Sequence, residues 1–210
     1  MEVKLYYCET MNPRKACAVA RHLKAPVEYV FVDLLRGEHM APGFAALNPN
    51  RKVPVLVEGD GRILWESTAI MCRLAEQAGS DLWPRDGRQV EVMRWLSWDM
   101  QHFMRVTGAL YFEHLIKPLI GMGGPDAGAV AAAQAGFRTA AAVLEGHLAG
   151  RDWLVGSAPT VADFAVAVTL PYAADAAIPL AEFPAISRWH DRLGTLEGWL
   201  DPFPPRPRAN

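Results

Sequence analysis

The hydrophobic pattern changes period once along this chain, and that change limits the fold more than any other feature. Up to about residue 79, short apolar runs of strand character alternate with helical stretches. From about residue 88 the apolar residues recur at helical spacing and no strand pattern competes. Between them Gly79 to Gly87, GSDLWPRDG, has the Gly, Pro and Asp of a linker. A length of 210 residues fits one large domain or two small ones, so the periodicity decides. The expectation is an α/β domain at 1–79 and an all-helical domain at 88–202.

Within the first half, Val3 to Tyr7 and Glu28 to Val32 are rich in Val, Tyr, Phe and Leu, which suits buried strands. Between them Asn12 is expected to cap a helix with Pro13 at its first position. Ala16, Val19, Ala20 and Leu23 then recur at i, i+3, i+4 and i+7. Pro54 to Glu58 and Arg62 to Trp65 read as a hairpin about Gly59-Asp60-Gly61. Ser67 is expected to cap a last helix that carries Ile70 and Leu74 on one face and runs out at Ala78-Gly79. The order βαβ-ββα implies a mixed sheet with helices packed on it.

In the second half, Val90, Met93, Leu96, Met100, Phe103, Met104 and Thr107 follow a helical period, and a second helix covers roughly Ala129 to Leu148. Thr160 to Leu170 is apolar almost all round, the pattern of a central buried helix, and Thr160-Val161-Ala162-Asp163 opens it as a capping box. The ending FPPRPRAN cannot be helical and is expected to be a loose tail.

Composition narrows the partners. A net charge of −2 offers no clustered cationic surface for a phosphate backbone, so nucleic acid is not expected. Cys8, Cys17 and Cys72 are odd in number and lack zinc-site spacing, which implies a reducing compartment and no metal. The start MEVKLYYCET has no leader pattern, and no run approaches the ~20 apolar residues of a membrane span. A cytoplasmic protein without membrane contact is expected.

Taken in order, Thr10-x-Asn12-Pro13-Arg14-Lys15, Asn50-x-Lys52-Val53-Pro54-Val55-Leu56, Trp65-Glu66-Ser67-Thr68-Ala69-Ile70 and Thr160-Val161-Ala162-Asp163 resemble the cytosolic glutathione transferase pattern. Each motif is weak alone, but their order and spacing span nearly the whole chain. The resemblance implies a thioredoxin-like domain with a mixed four-stranded sheet that holds glutathione, and an all-α helix bundle that shapes a pocket for a second substrate. It also implies a homodimer and a role in detoxification.

The same resemblance implies a cis bond before Pro54, so that the Val53 backbone pairs like an antiparallel strand with the cysteinyl part of glutathione. Glu66 and Ser67 resemble the pair that grips the γ-glutamyl end: a carboxylate for the ammonium, a hydroxyl and helix N-terminal N–H groups for the carboxylate. Outside that context Ser67 reads as a plain cap and Glu66 as a solvated charge. Lys52 matches a position for the glycyl carboxylate. His39 resembles the theta-class pattern, although Met40 stands where a Lys usually follows, and a surface loop histidine is the other reading.

A free thiol near pKa 8.5 is mostly protonated at neutral pH, so transferase chemistry needs a group that stabilises the thiolate. Counting back from Arg14-Lys15-Ala16 puts Thr10 where theta-like members carry their Ser, and Asn12 about where beta-class members carry their Cys. Thr10 with Asn12 resembles the bacterial nu-like group, whose members can reduce disulfides. Thr10 could donate a hydroxyl and Asn12 an amide N–H to the sulfur. The bland alternative makes Thr10 a turn residue and Asn12 a cap. Cys8 could instead form a mixed disulfide with glutathione, or be a small buried residue at a strand end.

Met11, Trp98, Tyr111 and Phe112 are the candidate walls of the second-substrate pocket, or else plain core. The leading expectation is a glutathione transferase acting on a small electrophile. The alternatives are a glutathione-dependent disulfide reductase or peroxidase, and a non-catalytic binding or assembly protein on the same fold.

Overall fold

The computed structural model describes Val3 to Pro205 and divides into two compact units. One contains residues 3–83 with residues 196–205, and the other contains Pro84–Thr195. The sequence reading puts the end of the helical domain at 202, whereas the described C-terminal segment groups with the first unit.

The first unit runs β1 (Val3–Tyr7), α1 (Met11–His22), β2 (Val27–Phe31), α2 (Pro42–Leu47), β3 (Val55–Val57), β4 (Ile63–Trp65) and α3 (Ser67–Gln77). Only α2 and a 3-10 turn at Glu38–Met40 add to the expected order. The sheet is mixed, in the order β2-β1-β3-β4, with β1 parallel to β2 and β3 antiparallel to both β1 and β4. Leu5, Tyr7, Val55 and Leu56 are buried in it; α1 and α3 pack together, and Ala16 to Ala20 of α1 and Ile70, Met71 and Leu74 of α3 are buried. Small side chains on α1 let its backbone come close to both neighbours.

Two capping expectations are corrected. Thr10, not Asn12, is the N-cap of α1: its backbone is extended (φ −128°, ψ 168°) and its carbonyl accepts from Arg14 N at 3.0 Å. Asn12 and Pro13 therefore lie inside the first turn, where the missing proline N–H breaks no helical bond. Likewise Ser67 is the first helical residue of α3, and Glu66 is its N-cap.

The loose-tail expectation also fails for the residues described. Trp199 is fully buried, its carbonyl accepts from the Arg14 guanidinium, and that cation lies 5.3 Å from the Trp199 ring centroid. Arg21 donates to Phe203 O at 3.0 Å, and the Phe203 ring stacks on Tyr7 at 6.0 Å. A Cβ on Gly198 (φ +79°) would lie 2.6 Å from Arg21 Cβ and 3.2 Å from Ala18 O, so glycine lets the segment close on α1. Aromatic burial overrides the helix-breaking prolines as a guide to order. The remainder of the proline-rich ending, 206–210, lies outside the described residues.

The second unit is helical: α4 (Arg88–Trp98), a π-helical turn (Asp99–Phe103), α5 (Met104–Tyr111), a second π-helical turn (Phe112–Ile116), α6 (Lys117–Leu119), α7 (Ala127–Leu148), α8 (Val161–Val166) and α9 (Pro184–Leu193). On α4 the stripe read from the sequence is only partly inward. Val90, Met93 and Met100 are exposed, while Val92, Trp95 and Leu96 are buried. Both faces are apolar, and periodicity alone cannot rank them.

Every residue from Val161 to Leu170 is buried, as expected for a central segment, but α8 ends at Val166 and the chain continues through turns to a 3-10 helix at Leu170–Tyr172. Pro171 has no N–H to give the Ala167 carbonyl, which accepts from Leu170 N at 2.9 Å instead, so the α-helical ladder does not run through it. The capping box is present: Asp163 accepts from Thr160 N at 2.8 Å and from Thr160 Oγ1 at 3.0 Å, and also from Leu154 N and Trp189 Nε1, both at 2.9 Å.

By length and composition α7 is apolar enough to cross a membrane, which the sequence reading did not anticipate because much of its apolarity is alanine. It packs against α5 and α9, with Phe137 between Phe103 and Phe183. Arg138 pairs with Glu182 at 2.7 Å, and Glu145 accepts the first N–H groups of α9 from Ala185 and Ile186.

Candidate functional site

The sheet register brings three distant segments to one edge. Tyr6 lies opposite Val55, and Val55 lies opposite Trp65. Because β3 is antiparallel to both neighbours, its N-terminal end, entered through Val53-Pro54, lies beside the C-terminal ends of β1 and β4. Those ends lead into Cys8-Glu9-Thr10 and into Glu66-Ser67. Cys8 and Val53 share one apolar cluster with Val32, Phe44 and Val55, which fixes this edge from beneath.

At the first corner, Thr10 is half-buried at the N-terminus of α1, and its side chain makes no capping bond. Its Oγ1 lies 3.2 Å from Cys8 Sγ. The Thr10 hydroxyl thus stands with the first N–H groups of α1, where the helix dipole favours an anion. Asn12 is exposed on the same first turn. Cys8 is 5% exposed, and burial pushes its thiol up, against a downward pull from the Thr10 hydrogen bond. Cys17 is fully buried and pushed up further, and the Cys72 thiol is pushed up to about 12, again by burial. None of the three has the depressed pKa of a reactive cysteine.

At the second corner, the Val53-Pro54 bond is cis, as the resemblance implies. Its loop is shaped by a residue that the motif reading missed. Asn48 is buried, donates Nδ2–H to Lys52 O at 2.7 Å and accepts from Asn50 N at 3.0 Å. Asn48-Pro49 after an apolar helix was the available signal, since Asn favours such local side chain to backbone bonds. The tight path also puts Arg51 at φ +53°. The Lys52 side chain is exposed, and His39, in the 3-10 turn, has a buried Nδ1 with no hydrogen-bond partner among the described residues.

At the third corner Glu66 adopts φ 75°, ψ 115°, a left-handed-side conformation that costs a residue with a Cβ on the order of 1–3 kcal/mol. It lets the chain turn sharply from β4 into α3, so that Ser67, 8% exposed, presents the first N–H groups of α3 at the same edge. Sequence showed the residues but not this strain.

The candidate pocket residues are dispersed. Met11 is half-buried at the start of α1. Trp98 stacks on Phe103 at 5.7 Å and, with His102, Arg105, Gly136 and Val143, lines a groove of about 690 Å³ within the helical unit. Tyr111 is 4% exposed and packs edge-on to Tyr172 at 5.0 Å, while Phe112 is 37% exposed. Neither lines that groove. Among the described residues no three His, Cys, Asp or Glu side chains converge as a metal site would require.

Comparison with known proteins agrees with this geometry. Residues 12–77 match the family model "Glutathione S-transferase, N-terminal domain", and residues 127–192 match "Glutathione S-transferase, C-terminal domain". The chain is 33% identical over 195 residues to glutathione S-transferase 3 of Zea mays, covering 87% of this chain and 86% of that protein. It is 27% identical over 198 residues to the disulfide-bond oxidoreductase YfcG of Escherichia coli, covering 91% and 89%. A solved structure of glutathione S-transferase III in apo form superimposes with a TM-score of 0.85 at 31% identity, covering 99% of this chain and all of that one. The chain belongs to the glutathione S-transferase family and is a glutathione S-transferase enzyme.

Proposed function

We propose that this protein binds glutathione along the edge formed by Thr10, Val53 and Ser67 and conjugates the thiolate to a small electrophile. The observation that carries the reading is the Thr10 hydroxyl, which sits at the N-terminus of α1 yet is not used to cap it. A hydroxyl donor and a helix N-terminus both stabilise a thiolate and lower its pKa. The Val53 main chain takes the cysteinyl backbone as an added strand. Ser67 and the first N–H groups of α3 take the γ-glutamyl carboxylate, Glu66 its ammonium, and Lys52 and His39 the glycyl carboxylate. Asn12 adds an amide donor near the sulfur, and Met11, half-buried at the start of α1, is the proposed contact of the second substrate on this unit. The sulfur then attacks the electrophilic carbon, a carbon–sulfur bond forms, and the leaving group departs with the displaced electron pair.

A second reading, disulfide reduction, is favoured by the Thr10-x-Asn12 pattern and by the likeness to an oxidoreductase. Turnover of a small disulfide against a chlorinated aromatic separates the two. We further infer a cytoplasmic detoxifying homodimer, supported by the exposed apolar row Val90, Met93 and Met100 on α4 and its continuation. Light scattering at twice the 23.1 kDa chain mass checks the dimer.

The central test is Thr10→Ala. Ultraviolet titration of the bound thiol is expected to show a pKa below the free value in the parent protein and a partial return in the variant. Turnover should fall about tenfold or more with KM for glutathione little changed. An unchanged pKa and rate would remove Thr10 from the chemistry.

A further inference from the structure

We propose that Cys8 is a positioning residue for Thr10: its thiol donates to Thr10 Oγ1 and so turns the one hydroxyl hydrogen toward the glutathione sulfur. The inference rests on the proposed glutathione reading and adds a residue to it.

A threonine hydroxyl has a single hydrogen and two lone pairs, and rotation about its C–O bond decides where that hydrogen points. With no capping bond to hold it, the Thr10 side chain has its described hydrogen bond with Cys8 Sγ, at 3.2 Å. Either atom can donate in that pair. If Thr10 donated, its hydrogen would be spent on Cys8 and unavailable to an incoming thiolate. If Cys8 donates, a lone pair of Oγ1 is occupied and the hydrogen is left for the ligand.

The surroundings favour the second arrangement. Cys8 is held among Val32, Phe44, Val53 and Val55, so its sulfur cannot swing into solvent to find another acceptor. Burial outweighs the downward pull that a bond donated by Thr10 would exert on the sulfur, so the thiol stays protonated at neutral pH and has a hydrogen to give. The main chain supports the pairing: Thr10 N donates to Cys8 O at 2.9 Å, which holds the two residues in one turn. A bound thiolate completes the preference, because a hydroxyl hydrogen gains more from an anion than from a neutral sulfur. In this arrangement Cys8 forms no bond with glutathione and touches no reacting atom. The S–H···O contact is weak, so its effect is on direction rather than on strength.

The experiment measures the pKa of the bound glutathione thiol by ultraviolet titration in the parent protein, Cys8→Ala, Cys8→Ser, Thr10→Ala and the Cys8→Ala/Thr10→Ala pair. Thermal unfolding of each variant is recorded so that readings are taken on folded protein. Cys8→Ala is expected to raise the bound thiol pKa by about half a unit and lower kcat a few-fold, with the glutathione dissociation constant unchanged. Cys8→Ser keeps a donor at the position and is expected to retain the parent pKa, which a loss of packing alone would not restore. In the Thr10→Ala background, Cys8→Ala should add no further shift. Cys8→Ala leaving the pKa at the parent value, while Thr10→Ala raises it, would overturn the positioning role and leave the glutathione reading intact. Thr10→Ala without effect would instead overturn that reading. Loss of all activity in Cys8→Ser, with a mixed disulfide trapped in the parent protein, would replace positioning by covalent chemistry at Cys8.

Discussion

The two units of this chain place their polar groups in contrasting ways. In the first unit the polar groups of interest lie at the ends of elements, where strand register and helix N-termini leave main-chain groups unpaired. In the second, the carboxylate of Asp163 is fully buried and all four of its described bonds are internal. One unit gathers helix N-termini at a sheet edge, and the other consumes its hydrogen-bonding capacity in holding helices together. The contrast teaches that a polar motif is read by whether the fold satisfies it: Thr160-x-x-Asp163 is satisfied within the fold, whereas the Thr10 side chain makes no capping bond and Ser67 lies inside its helix rather than at the cap.

The largest effect is expected from Asp163→Ala, which strips the partner from Leu154 N, Thr160 N, Thr160 Oγ1 and Trp189 Nε1 at once. An unsatisfied buried donor costs about 1–3 kcal/mol, so the loss should be about 4 kcal/mol or more. For a chain of this size that lowers Tm by roughly 8–16 °C. Thermal or urea unfolding reads it directly. A variant as stable as the parent would dissolve the contrast, since the helical unit would no longer depend on its buried carboxylate.

Next in size is Ser67→Ala. A charge-assisted hydrogen bond to the γ-glutamyl carboxylate is worth about 1.5–3 kcal/mol, so glutathione should bind about 10- to 150-fold more weakly by calorimetry. Because Ser67 is the first helical residue and not the cap, the ~1 kcal/mol loss typical of removing a cap should be absent. An unchanged dissociation constant together with lower stability would reverse the assignment and make Ser67 structural.

Much of the first unit was legible because strand runs, Gly59-Asp60-Gly61 and the Val53-Pro54 pair are local signals. The edge that gathers Thr10, Val53 and Ser67 was legible only through the family resemblance, since register is a long-range property. What escaped was conformational: the strained Glu66 corner, the buried Asn48 and the choice of Thr10 over Asn12 as cap. Both Thr and Asn cap well, and only backbone angles separate them. In the second unit helices were plain, but α4 is apolar on two faces and the pocket residues scattered because spacing does not say which face turns inward. The start of the proline-rich ending was misread for the opposite reason: its prolines masked the stacking of Phe203 on Tyr7.

The smallest effect tests whether the helical unit also carries a pH dependence that the sheet edge does not share. His147, in the last turn of α7, donates Nε2–H to Leu154 O at 2.8 Å, because a carbonyl can only accept. Its ring lies 4.5 Å from Trp95. The titrating nitrogen is therefore Nδ1, and burial lowers its pKa, opposed by the Leu154 bond and assisted by the charges of Arg151 and Arg94. As the folded pKa lies below the unfolded value of about 6.5, the unfolded chain takes up a proton first as pH falls. The stabilising contribution of the neutral ring is thus fully present above about pH 6.5 and is lost as the pH falls through the lowered folded value. Urea unfolding at pH 7.5, 6.5 and 5.5 should show that decline, kept small by solvent screening of the partly exposed ring. His147→Gln keeps an N–H for Leu154 O without a titrating group, and it should flatten the profile over this range. A decline that persists unchanged in His147→Gln would move the pH dependence to another group and deny the helical unit this distinction.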